Sequence, residues 1–178
     1  MESTTPRATA KVLETERLLL RRLDYGDAAF VHRLVNEPSW LRYIGDRGVR
    51  THDDAGRYLR DGPLAMYARH GFGLYLVEMK DGNEPIGLCG FVKRDTLPDV
   101  DLGFAFLPAF WGKRYAFEAA SGVMAYGRNV LRLARVVAIT TPDNLASIRL
   151  LERLGFAFER PVRLGENDDA LRLYVAAR

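Results

Sequence analysis

Trp111-Gly112-Lys113-Arg114-Tyr115-Ala116 packs a glycine, two cations and the start of an apolar-periodic helix into six residues. The preceding Val100–Phe106 alternates as a strand does, and Pro108 stops its continuation. A strand, a tight turn and a helix start aim several free backbone N–H groups at one point, and the positive end of the helix dipole adds to their field. The guest that suits such a turn is an anion, a phosphate or a diphosphate. A second unit of this kind follows. Arg135–Thr140 is an apolar run, and Asn144 and Ser147 stand at the start of the helix that Gly155 closes. From Lys113 to Arg153 seven Lys or Arg face three acids, so this stretch carries +4 in a chain of net charge +3. Positive charge gathered around two anion-binding turns suits a ligand bearing several phosphates.

In this order and spacing the segments resemble the GNAT superfamily of acetyl-CoA-dependent N-acetyltransferases. Trp111–Ala116 is similar to the family's pyrophosphate loop, and Asn144-x-x-Ser147 with Leu154-Gly155-Phe156 is similar to its second cofactor motif. Leu13-Glu14-Thr15-Glu16-Arg17-Leu18-Leu19-Leu20-Arg21 resembles the branch that holds the ribosomal-protein-alanine acetyltransferases. The resemblance implies that Val100–Phe106 and Arg135–Thr140 are parallel neighbours that splay apart, with pantetheine lying between them as an extra strand. It implies cofactor contacts from Phe104, Ala105 and Phe106, from Trp111, Gly112, Lys113, Arg114, Tyr115 and Ala116, and from Asn144 and Ser147. A backbone N–H near Phe106 is then the oxyanion donor.

The chain departs from the family at Arg114, where a second loop glycine is usual. If that position needs a positive φ, arginine is strained there. If it does not, the guanidinium adds a phosphate donor, which is the expectation adopted. A tyrosine that many relatives carry as the acid is replaced by Leu151, which leaves Ser147 as the candidate for protonating the coenzyme thiolate. For the base, Asp101 is the first candidate, two residues before Gly103, where the family often has a glutamate. Glu166, in the turn of the last hairpin, is the rival. Each residue has a plainer role: Asp101 as a strand-surface group, Glu166 as a solvated turn, and Asn144 and Ser147 as helix caps.

The elements that position these groups follow from the pattern. Val12–Leu23 reads as a strand, and Asp27 as the cap of a helix to about Asn36 that Pro38 ends. Trp40–Gly45 is an apolar connector. Thr51 caps a helix that reaches Arg69-His70-Gly71. Asp81-Gly82 marks a hairpin between Gly73–Met79 and Pro85–Lys93. A helix spans Tyr115–Leu131, Asp143 caps the next one, and Phe156–Arg163 pairs with Leu171–Ala176. The class is α+β: a mixed, mostly antiparallel sheet of about seven strands with about four helices. Residues 11–178 form one domain behind a disordered tail at 1–10.

The single cysteine, Cys89, excludes an internal disulfide and suits a reducing, cytoplasmic setting. It lies in an apolar run and reads as a small core residue rather than a nucleophile. No metal is expected, since His32, His52 and His70 show no ligand spacing, and no apolar run is long enough to span a membrane. Nucleic acid is not expected as the primary partner. The function implied is acetyl transfer from acetyl-CoA to a primary amine, a protein N-terminus or a small molecule, by a monomer or homodimer. Trp40, Tyr43, Tyr58, Met66 and Tyr67 are candidates for the acceptor wall, or else the core of their own helices. The alternative function is a catalytically silent acyl-CoA-binding or sensor module.

Overall fold

The computed structural model describes residues 10–177, so most of the 1–10 tail lies outside the described residues. One eight-stranded sheet runs in the order β1-β2-β3-β4-β5-β6-β8-β7. Its strands are β1 Lys11–Glu14, β2 Leu18–Arg22, β3 Leu74–Met79, β4 Pro85–Lys93, β5 Val100–Phe106, β6 Val136–Thr140, β7 Phe156–Val162 and β8 Leu171–Ala176. All neighbours are antiparallel except β5 and β6. The expected single strand Val12–Leu23 is in fact the hairpin β1–β2. It has no glycine turn; the Thr15 hydroxyl closes it instead, accepting from the Leu18 amide at 3.1 Å.

Helices α1 Ala28–Val35, α2 Pro38–Tyr43 and α3 His52–Leu59 cover one face of the sheet, while α4 Ala65–His70 sends Tyr67 into the other cluster, against Tyr75. The first three bury Val31, Leu34, Trp40, Ala55 and Leu59 against Leu76, Leu88 and Leu107. Helices α5 Tyr115–Asn129 and α6 Leu145–Arg153 lie on the other face, over Tyr75, Cys89, Phe91, Leu102, Phe106 and Ala138. Small residues on α5, Ala119 and Ala120 among them, let it sit close to the sheet. Cys89 is fully buried in this core, and burial pushes its thiol pKa up.

Three further expectations are corrected. Trp40 belongs not to a connector but to α2, which starts because Pro38, poor as the end of a helix, is pre-organised for the first turn of one. Asp27 does not cap α1. Its carboxylate turns inward and takes a bidentate pair from Arg21 at 2.8 and 2.9 Å, while Arg21 Nε donates to Glu78 at 2.9 Å. The Thr51 helix begins with its capping box to Asp54, but Pro63 cannot donate an N–H. The chain therefore widens into a π turn at Arg60–Leu64 between α3 and α4.

Asp27 and Glu78 are both nearly excluded from water and share one guanidinium, with the Asp24 amide adding a 2.9 Å bond to Asp27. Arg21→Ala is expected to lower the unfolding free energy by about 3 kcal/mol in urea denaturation. A loss below about 1 kcal/mol would show the two carboxylates to be solvated instead.

Candidate functional site

The parallel strands β5 and β6 pair at only two positions, Val100 with Val136 and Asp101 with Val137, and then part. The direction of the backbone beyond that point can be read from β4. The Leu107 amide donates to Ile86 at 2.9 Å, and antiparallel hydrogen-bonded pairs alternate. Leu107 and Ala105 therefore bond to β4, while Phe104 and Phe106 turn their N–H and C=O groups toward the space that β6 has left. These are strand edges without a neighbouring strand, the condition for an extended ligand to add itself. Ala105 meets the space through its side chain only. The Phe106 carbonyl already accepts from the Trp111 indole at 2.9 Å, so Trp111, half-exposed, folds back against the strand end.

A cavity of about 880 Å³ runs through this splay. Side chains alternate along β5, so Phe104 and Phe106 face α5 and α6 while Asp101, Gly103 and Ala105 face α1–α3. Both sets line the one cavity.

At the α5 end the chain passes through Gly112 at φ +75° and Arg114 at φ +67° before Tyr115 begins the helix. Arg114 thus adopts the left-handed conformation that a second loop glycine would take freely, against the expectation that this position needs no positive φ. A network that sequence reasoning missed fixes the loop. Glu118, in the first turn of α5, accepts from the Thr15 hydroxyl at 2.5 Å, the Arg17 amide at 2.8 Å and Arg17 Nε at 2.7 Å. Arg17 also donates to the Lys113 carbonyl at 3.1 Å and lies 4.4 Å from the Tyr115 ring centroid. Gly112, Arg114, Tyr115 and Ala116 line the cavity. Lys113 does not; its ammonium sits 5.6 Å from the Phe110 ring. The signal in the sequence was an acid in a helix's first turn, which favours the N-terminal dipole but names no partner.

Across the cleft, Asn144 and not Asp143 caps α6, its side chain accepting from the Ser147 amide at 3.2 Å, while Asp143 pairs with Arg42 at 3.2 Å. Asn144 and Ser147 both line the cavity.

Asp101 is 1% exposed and lines the sheet's other face of the cavity. Burial pushes its pKa up to about 6, opposed by Arg94, whose Nε donates to Oδ2 at 2.8 Å. Its Oδ1 makes no well-formed hydrogen bond among the described residues, although the Ile139 amide favours the charged form. Arg94 was also missed; it lies beyond the end of β4, and only the β4–β5 register, with Val92 opposite Asp101, brings it within reach. The same cavity is lined by Trp40 and Tyr43 of α2, Tyr58 of α3, and Gly62, Pro63 and Met66 of the π turn and α4. Tyr67 is core, its hydroxyl bonded to the Leu74 carbonyl and the Leu23 amide. Glu166 is exposed in the β7–β8 turn and does not line the cavity.

Residues 17–157 match the family model described as acetyltransferase (GNAT) domain. The chain belongs to the GNAT acetyltransferases. An uncharacterized N-acetyltransferase of Bacillus licheniformis, p20, is 30% identical over 157 residues, 86% of each chain. The spermidine N(1)-acetyltransferase of Escherichia coli K12 is 28% identical over 145 residues, 79% of this chain and 73% of that one. The solved structure of RimL, a ribosomal L7/L12 alpha-N-protein acetyltransferase, superposes with a TM-score of 0.80 over 96% of this chain and 97% of that one. At 18% identity that likeness shows the fold alone.

Enzymes of the GNAT family use acetyl-CoA, and the groups present fit it: unpaired strand edges for an extended arm, and a cationic turn at a helix N-terminus for a diphosphate. Among the described residues no group of three or more His, Cys, Asp or Glu is placed to hold a metal, and no helix is long and apolar enough to cross a membrane. Because Arg114 carries backbone strain, Arg114→Gly is expected to raise the unfolding free energy by about 1 kcal/mol. It should also raise the Kd for coenzyme A, since a cation is lost beside the diphosphate. Unfolding curves and calorimetry check the two separately, and a destabilised Arg114→Gly would refute the strain.

Proposed function

We propose that this GNAT enzyme transfers the acetyl group of acetyl-CoA to a primary amine by direct attack in a ternary complex. The observation that carries this reading is the cavity through the β5–β6 splay, onto which the cofactor groups of one face and Asp101 of the other both open. A donor along the splay and an acceptor beside Asp101 would then meet without crossing the sheet.

Acetyl-CoA supplies an acetyl group activated as a thioester. The chain's own residues do the rest. The backbone N–H of Phe106 polarises the acetyl carbonyl, the role of a preorganised oxyanion donor. Amides of the Gly112–Ala116 turn hold the diphosphate, with Arg114 at its edge, and Asn144 holds the pantetheine arm. As the C–N bond forms and the C–S bond breaks, the amine proton passes to Asp101, and Ser147 returns a proton to the departing thiolate. Asp101 is five residues before Phe106, about 17 Å along an extended strand, so its proton arrives through a chain of waters in the cavity. Glu166, exposed outside the cavity, is not needed in this scheme.

The elevated pKa of Asp101 makes it a usable base near neutral pH while leaving it mostly ionised there. The ionised form is the active one, so kcat/KM should fall as pH drops through about 6. Asp101→Asn should lower kcat by about 10²-fold or more, remove that inflection, and leave the Kd for acetyl-CoA unchanged. A retained inflection would remove Asp101 from the mechanism. Calorimetry with acetyl-CoA, followed by thiol release with a panel of amines, tests the function as a whole. Amine-dependent release supports it, and binding without release on any amine would make the protein a silent acyl-CoA binder.

A further inference from the structure

The acceptor end of the cavity has an unusual set of spare polar groups. Of the two acids that line the cavity, Arg94 engages Asp101 and Arg42 engages Asp143. Arg94 uses Nε for that bond, and its remaining guanidinium N–H groups have no hydrogen bond among the described residues. Arg47 also lines this end, on the segment between α2 and α3 where Gly45 and Gly48 both take positive φ. No ion pair or hydrogen bond holds its side chain among the described residues. Both arginines act on the Tyr58 phenol, where they oppose the upward shift that burial imposes on it, so the two cations converge on one wall. The Trp40 indole N–H, from a residue that also lines the cavity, is buried without a partner among the described residues. The acids near the acceptor helices are engaged or turned outward: Asp54 in the capping box of α3 and with Arg57, and Asp46 with Arg50.

Donors therefore outnumber acceptors where the second substrate must sit, and positive charge outnumbers negative. A polyamine would bring two further cations to this wall and find only Asp101, whose charge Arg94 already shares, to meet them. A group that accepts hydrogen bonds and carries negative charge would satisfy it. We infer that the amine acceptor is an amino-acid-like molecule whose carboxylate is bound by Arg47, with the spare guanidinium N–H groups of Arg94 beside it and an apolar or aromatic body against Trp40, Tyr43 and Tyr58. This rests on the acetyl-transfer reading and adds its substrate class. In this arrangement the carboxylate is held at the arginine wall while the amino group points along the cavity toward the splay, and its proton passes to Asp101 through water.

The test uses the full chain and matched acceptors: aromatic and aliphatic α-amino acids, each with its amide and its decarboxylated amine, together with spermidine. Thiol release from acetyl-CoA is the readout. The acid of each set is expected to exceed its amide in kcat/KM by about tenfold or more, with spermidine below both. Arg47→Ala should cut that acid-to-amide ratio to under about threefold through KM, and Arg47→Lys should restore most of it. Amides, decarboxylated amines or spermidine used as well as the acids would overturn the carboxylate assignment and leave acetyl transfer standing. So would a ratio unaltered by Arg47→Ala. No release with any member, while acetyl-CoA still binds in calorimetry, would overturn the amino-acid assignment, and the same result with N-terminal peptides added would overturn acetyl transfer as well.

Discussion

Two residues of parallel pairing and then none: that limit on the β5–β6 ladder is the constraint on which the rest depends. A buried strand edge ordinarily costs free energy because its N–H and C=O groups lose water without gaining partners. Here the edge at Phe104 and Phe106 opens onto a cavity, and the chain around it tolerates the gap because β5 remains fully paired to β4 on its other side and β6 to β8. The sheet is continuous across the molecule and open at one place. Separation of the two faces follows from the pleat, which sends Phe104 and Phe106 toward α5 and α6, and Asp101 toward the face that α1, α2 and α3 cover.

The turn before α5 is held in a strained form by charge on its far side. Arg114 sits at positive φ without the freedom of glycine, and the turn keeps that shape because Glu118 ties the first turn of α5 to Thr15 and Arg17 of the β1–β2 hairpin. Arg17 reaches the Lys113 carbonyl from the same cluster, so the hairpin at one end of the chain and the turn near its middle are one rigid unit. Burial acts in the opposite sense at Asp101. It raises the carboxyl pKa, Arg94 limits the rise, and the balance leaves a group that is both ionised and basic near neutrality.

Much of this was legible in the sequence because it is local. The Asp81-Gly82 hairpin, the α5 alanine stripe and the strand-turn-helix at Trp111–Ala116 are all encoded within a few residues. Some corrections are local, as at Pro38, Pro63 and Arg114, but the larger ones involve a partner elsewhere in the chain. Asp27 looked like a cap because Arg21 and Glu78 could not be seen converging on it. Thr15 and Arg17 looked like strand residues because their partner, Glu118, lies a hundred residues on. Asn144 and Asp143 are neighbours of equal capping chemistry, and only the placement of Arg42 separates them. Arg47 and Arg94 carried no motif at all; the wall they share is made by the packing of α2 and α3 over the ends of β4 and β5.

The claim that the β5 edge is the binding surface for the coenzyme arm is open to one direct measurement, residue-resolved amide hydrogen exchange with and without acetyl-CoA. The account predicts that the Phe104 and Phe106 amides, which have no strand beside them in the free protein, slow markedly when acetyl-CoA is added. Ala105, already bonded to β4, should stay as it was. Unchanged exchange at Phe104 and Phe106 under saturating acetyl-CoA would place the coenzyme elsewhere and contradict the account.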